Sequence, residues 1–180
     1  VGEMIDLARL GELGKEGVLA LMSDSTNVER PGYAMSEKKV GATFRTLFES
    51  SRKRIIVATF ASNVHRVQQI INAAVEYGRK VAVSGRSMIN VADAAYKIGE
   101  LKFSQEEIID IERIKNVPDK ELVVVSTGSQ GEPMSALTKM ASGESSYVTI
   151  GKNDTIIISA SPIPGNEKSI YQVINNLYRK

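Results

Sequence analysis

The stretch Leu122-Val-Val-Val-Ser-Thr-Gly-Ser-Gln-Gly-Glu-Pro133 decides the fold class. Residues 122–125 form a continuous apolar run, the pattern of a strand buried on both faces. Residues 126–133 are turn chemistry, and 134–141 read as a helix. Pro133 is expected at the first helical position, where its missing N–H would be unpaired anyway. Gly128 and Gly131 suit a positive φ or a close approach to the backbone. Free amides at a helix start, with hydroxyls beside them, make an anion site. An ordinary βα turn has the same composition, so the rest of the chain must decide between the two readings.

Working outward, the same unit recurs. Residues 55–59 are a strand that runs through Phe60-Ala-Ser-Asn63 into a helix over 64–77, stopped by Gly78 at the position favoured after a helix end. Residues 80–83 run through Ser84-Gly-Arg-Ser87 into a helix over 88–98. A weaker strand at 108–111 and a helical turn at 112–116 follow, closed by Pro118. Residues 155–159 lead through Ala160-Ser-Pro-Ile-Pro-Gly-Asn166 into a final helix ending near Tyr178. Upstream, Val18-Leu-Ala-Leu-Met22 reads as one more buried strand, ending in Ser23-Asp-Ser-Thr-Asn27. Ser36 is the expected N-cap of a helix to Ser51. Residues 4–15 form a helix weakened by glycines, and 147–150 a short edge strand. Alternating strands and helices predict a three-layer αβα, doubly wound, mostly parallel sheet. With no linker or low-complexity stretch, residues 18–180 read as one domain and 1–17 as a connecting segment.

Bulk composition narrows the function. The 180 residues carry a net charge of +2 and are 42 % hydrophobic, as in ordinary globular proteins. That charge is too small to argue for nucleic acid by itself. There is no Cys and only one His, so thiolate metal sites and His-rich zinc motifs are excluded. No segment has the apolar length of a membrane span, and no signal-peptide pattern opens the chain. The chain opens on Val1 rather than Met, which points to a processed or excised piece.

In a sheet of this class, ligands sit beyond the carboxyl ends of the strands. Five loops are expected there: those after Met22, Thr59, Val83, Val125 and Ile158. All carry Ser. Turn and capping chemistry accounts for some of this, and hydroxyls, free amides and one Arg gathered at several helix starts also describe a phosphate-binding edge. Arg86 and Ser87 can grip a phosphate, or simply sit in a solvated turn. Ser62, Asn63 and His65 open a helix, and the lone His is either a ligand contact or a polar surface residue. Asp24 is a functional carboxylate or a turn residue. Gly128, Ser129, Gly131 and Glu132 line the central loop, with Glu132 acting on a ligand or complementing the helix dipole. The P-loop, the Gly-x-Gly-x-x-Gly fingerprint and the Gly-x-Ser-x-Gly elbow are all absent.

Five segments, Leu21-Met-Ser-Asp-Ser-Thr-Asn27, Ala58-Thr-Phe-Ala-Ser-Asn-Val-His-Arg66, Gly78-Arg-Lys-Val-Ala-Val-Ser-Gly-Arg-Ser87, Thr127-Gly-Ser-Gln-Gly-Glu-Pro-Met134 and Ser161-Pro-Ile-Pro-Gly-Asn166, together resemble bacterial ribonuclease J. In that family a β-CASP domain is inserted in a metallo-β-lactamase domain, and 18–180 resemble the insertion. The resemblance implies a zinc-dependent ribonuclease with 5′-to-3′ exonuclease and endonuclease activity in RNA processing and decay. It implies RNA with a 5′-monophosphate as partner, the metallo-β-lactamase domain of the same parent chain as neighbour, and a cytoplasmic homodimer or tetramer. Asp24 would match acidic motif A, in a supporting role near the catalytic centre. Ser62, Asn63, His65, Arg86 and Ser87 would match the walls of the nucleotide and 5′-phosphate pocket, and Gly128 to Glu132 the cleft lining. The family's His-x-His-x-Asp-His zinc motif is missing from this sequence, and its later His-bearing motifs would follow Lys180. The expectation is therefore a fragment that folds but does not cleave RNA. A self-contained domain binding a nucleotide or sugar phosphate is the second reading, and a purely structural insertion the third.

Overall fold

The computed structural model describes residues 5–25, 28–29, 31–33 and 36–180. The elements are α1 (Leu7–Glu16), α2 (Glu37–Ser50), β1 (Ile55–Ala58), α3 (Val64–Glu76), β2 (Lys80–Ser84), α4 (Arg86–Lys97), β3 (Ile108–Ile109), β4 (Leu122–Ser126), α5 (Ala136–Ser142), β5 (Thr155–Ile158) and α6 (Glu167–Leu177). Short 3₁₀ turns at Ile111–Asn116 and Asp119–Glu121 join β3 to β4.

The strands form one parallel sheet in the order β3-β2-β4-β1-β5. Every residue of β1 and β4 is buried, as their unbroken apolar runs require in a sheet covered on both faces. Side chains alternate across a strand, and that alternation divides the core in two. Ile55, Val57, Val123 and Val125 pack with Phe44 and Phe48 of α2, Ile70 of α3 and Met88 of α4. Ile56, Ala58, Leu122 and Val124 pack with Leu137 and Met140 of α5 and Val173 of α6. The three layers expected from the sequence are thus α2–α3–α4, the sheet, and α5–α6.

This arrangement makes β4 the pivot. Its neighbours β1 and β2 both lead into helices on the first face, while β4 leads into α5 on the second. The chain therefore departs in opposite directions on either side of β4, and sheets of this class open a crevice at the carboxyl end of such a strand.

Three sequence expectations are corrected. Residues 18–22 form no strand; Leu19 and Met22 are fully exposed, at 106 % and 95 %. An apolar run specifies that residues seek burial but not against what, and Val18, Leu19, Leu21 and Met22 all stay exposed. Residues 147–150 are also not a strand, although Val148 and Ile150 are buried in the second core. The helix after the central loop begins at Ala136 rather than Pro133, because Ser135 caps it by accepting from the Thr138 N–H.

Arg79 fastens the opposite end of the first layer. It is 6 % exposed and donates to the carbonyls of Lys53 (2.8 Å) and Ser51 (2.5 Å), just past the end of α2. A cation there holds the chain that follows the helix and complements the helix dipole. Burial lowers the Arg79 pKa from its ordinary value. Replacing Arg79 with Met is expected to lower stability by about 1–3 kcal/mol, the loss of hydrogen bonds made by a charged group. Urea unfolding checks this, and no shift in midpoint would show that the carbonyls find other partners.

Candidate nucleotide-binding edge

The register brings Ala58, Ser84, Ser126 and Ile158 into one row at the carboxyl ends of the strands. The ladder continues one residue further. Thr59 N–H donates to Ser126 O (3.1 Å), Thr127 N–H to Ser84 O (3.3 Å) and Ser159 N–H to Ala58 O (2.8 Å). The loops after β1, β2, β4 and β5 therefore leave from a common rigid edge.

Each loop is held by its own polar contacts. Asn63 caps α3 by accepting from the Arg66 N–H (3.1 Å). Ser62 and His65 beside it are exposed. Arg86 and Ser87 are the first two residues of α4 and are also exposed. The N-cap of α4 is Gly85, which supplies no side-chain bond. This end of α4 thus presents backbone amides with an Arg and a Ser on its first turn.

The β4 loop is mostly interior. Gly128, Ser129 and Gly131 are buried, and both glycines have the positive φ expected from the sequence, at 109° and 71°. Glu132 is exposed, and its carboxylate accepts from the Gln130 N–H at 3.2 Å. Thr127 pins the start of α5: its carbonyl accepts from Leu137 N–H (3.0 Å) and its hydroxyl from Ala136 N–H (3.2 Å). Two hydroxyls here stand apart. Ser126 Oγ and Ser129 Oγ are buried without a hydrogen-bond partner, in residues that are 0 % and 2 % exposed. A buried hydroxyl left unpaired costs roughly 1–3 kcal/mol, so these groups retain hydrogen-bonding capacity at the carboxyl end of the central strand.

Asp24 is placed differently from the expectation. It lies in the exposed segment that forms no strand, so it does not sit at a strand end. Of the five loops expected at this edge, the four after β1, β2, β4 and β5 leave the sheet there.

Sequence reading missed two residues that organise it. Arg66 pairs with the carboxylate of Glu37 and donates through Nη1 to Ser159 O at 3.0 Å, tying α3 to α2 and to the end of β5. Gln130 is 4 % exposed and bonds the segment after β5. Arg66 closes one of the segments that carry the family resemblance. Gln130 lies inside another, but polar residues in a polar loop give no local sign of burial.

Among the described residues no group of three or more His, Cys, Asp or Glu side chains comes together. They do not supply the donor set of a zinc site. No helix among them is long and apolar enough to cross a membrane.

Fold and edge together define a doubly wound α/β domain with polar loops gathered at the carboxyl end of its central strand. Residues 52–177 match the family model described as ribonuclease J, beta-CASP domain, and the chain belongs to that family. It is 43 % identical over 177 residues to ribonuclease J of Thermus thermophilus, covering 98 % of this chain and 31 % of that protein. It is 45 % identical over 175 residues to ribonuclease J of Helicobacter pylori, covering 97 % and 25 %. To ribonuclease J of Mycolicibacterium smegmatis it is 46 % identical over 176 residues, covering 98 % and 32 %. The chain spans about a quarter to a third of the length of these curated relatives.

Proposed function

We propose that this chain is the RNA-holding part of a zinc-dependent ribonuclease that acts in RNA processing and decay, with the crevice at β4 receiving a 5′-monophosphate end. The observation that carries the reading is the match of residues 52–177 to the ribonuclease J β-CASP domain, whose central strand here runs into the loop bearing the buried, unpaired hydroxyls of Ser126 and Ser129. Arg86, Ser87 and the uncapped start of α4 contribute a cation and backbone amides suited to phosphate. Ser62, Asn63 and His65 form a second wall, and Gly128 to Glu132 the floor. Asp24 acts in support from the segment before the sheet.

The hydrolytic zinc belongs to a metallo-β-lactamase domain of the longer parent chain, which works in the cytoplasm as a homodimer or tetramer. Residues 1–17 connect the two domains, and 18–180 make up the substrate domain. Zinc supplies an activated water in such hydrolases. The described residues of this chain do not make that site, and its part is to bind and orient RNA.

Titration with UMP and with uridine, followed by amide NMR, tests the reading. UMP is expected to shift amides of residues 84–87 and 126–132, and uridine to leave them in place. Arg86→Ala is expected to weaken UMP binding about tenfold, the loss of one charge-assisted hydrogen bond. Equal response to the two ligands would remove the phosphate site. Tight binding of a free nucleotide or sugar phosphate would favour a self-contained binding domain instead. The purified chain with added zinc is expected to leave 5′-monophosphorylated RNA intact, and cleavage would overturn the division of labour.

A further inference from the structure

The segment after β5 reads Ser161-Pro-Ile-Pro-Gly-Asn166. Pro162 and Pro164 have no N–H, so the Ile163 N–H is the one backbone donor across residues 162–164. Gln130 is its partner. Its Oε1 accepts from Ile163 N–H at 2.8 Å and from Asn166 Nδ2 at 3.4 Å. Its Nε2 donates to Ser161 O at 3.0 Å. A single primary amide thus holds both ends and the middle of this loop.

A second contact reinforces the first. Gly131, the next residue, lies against the backbone of Ser169 in α6. Gln130 itself is almost fully buried, which is unusual for a glutamine unless its amide is satisfied. The β4 loop, with its unpaired Ser129 hydroxyl, and the proline loop are therefore one mechanical unit.

We infer that Gln130 is a positioning residue for the ligand: its amide fixes the proline loop against the β4 loop and so sets the shape of the crevice. It does not touch the ligand. This inference rests on the proposed nucleotide site.

Gln130→Met tests it, because Met keeps the length and approximate volume of the side chain and removes its hydrogen bonds. A space-filling role predicts behaviour like that of the unchanged chain. The positioning role predicts that exchange of the Ile163 amide speeds up at least tenfold while that of Val124 in β4 is unchanged. It also predicts that UMP affinity falls about fivefold. Gln130→Glu is the second variant and covers failure of the first to fold. Its carboxylate still accepts from Ile163 N–H but cannot donate to Ser161 O, so Ile163 stays protected while UMP binding weakens.

Unchanged Ile163 exchange in Gln130→Met would overturn the clamp. Faster exchange with unchanged UMP affinity would overturn its role in positioning. If the unaltered chain does not prefer UMP over uridine, the nucleotide site and the positioning role fall together. If it does and the variants bind equally well, only the role of Gln130 falls.

Discussion

Gly131→Ala is expected to lose about 3 kcal/mol of folding stability and the UMP response together. A left-handed conformation costs a non-glycine residue roughly 1–2 kcal/mol, and Gly131 has φ +71°. The larger problem is contact. A β-carbon here would lie 2.5 Å from the Ser169 carbonyl carbon, 2.6 Å from its oxygen and 2.7 Å from the Ile170 nitrogen. These are backbone atoms of α6, which cannot swing aside like the end of a side chain. Nor can the helix retreat easily, since Ile170 and Val173 are 6 % and 3 % exposed and Val173 belongs to the second core. Forcing an extra methyl into such a site costs typically 1–3 kcal/mol. Gly165→Ala is the control. It also has a positive φ (97°), but nothing lies within 4 Å of the position a β-carbon would take. It should show backbone strain alone, about 1–2 kcal/mol. Urea unfolding of the two variants separates strain from collision. If Gly131→Ala loses no more than Gly165→Ala, the close packing of the β4 loop on α6 is not what holds the crevice.

The contrast between residues 18–22 and 122–125 shows what a sequence carries. Both are continuous apolar runs. Leu122 to Val125 fall between two strands and beneath helices on both faces, and they form the strand their pattern predicts. Val18 to Met22 have the same pattern but form no strand among the described residues. Apolar sequence records a demand for burial, while the partner that meets it is a property of the whole fold. The crevice divides in the same way. Its glycines and hydroxyls are legible because turns and helix starts have local chemistry. Gln130 is not, since its meaning depends on Ser161 and Ile163, 31 and 33 residues further along. The direction in which α5 leaves the sheet is equally hidden, and that direction makes β4 the pivot.

At the opposite end of the sheet, Asp154→Asn is expected to cost about 3–5 kcal/mol while leaving UMP binding unchanged. Asp154 and Arg54 immediately precede β5 and β1, which pair from Ile55 opposite Thr155 onward. Their side chains are 4 % and 11 % exposed and meet at 2.5 Å. Arg54 also donates to Thr149 O at 2.6 Å, and the same Asp154 oxygen accepts from Gly151 N–H at 2.8 Å. The pair thus closes the turn that feeds the edge strand. Breaking a buried ion pair by neutralising one partner leaves an uncompensated charge, which is the source of the 3–5 kcal/mol. The Arg54 Nε already lacks a partner, so the guanidinium has little reserve. The double replacement Arg54→Met with Asp154→Leu removes both charges and is expected to be more stable than Asp154→Asn alone. A four-residue strand spans roughly 13 Å, which separates this pair from the crevice at the other end of β1. Stability and ligand binding should therefore part company at Asp154 and move together at Gly131. A loss below about 1 kcal/mol in Asp154→Asn, the range of an exposed pair, would mean that β5 is held by its ladder and core contacts alone.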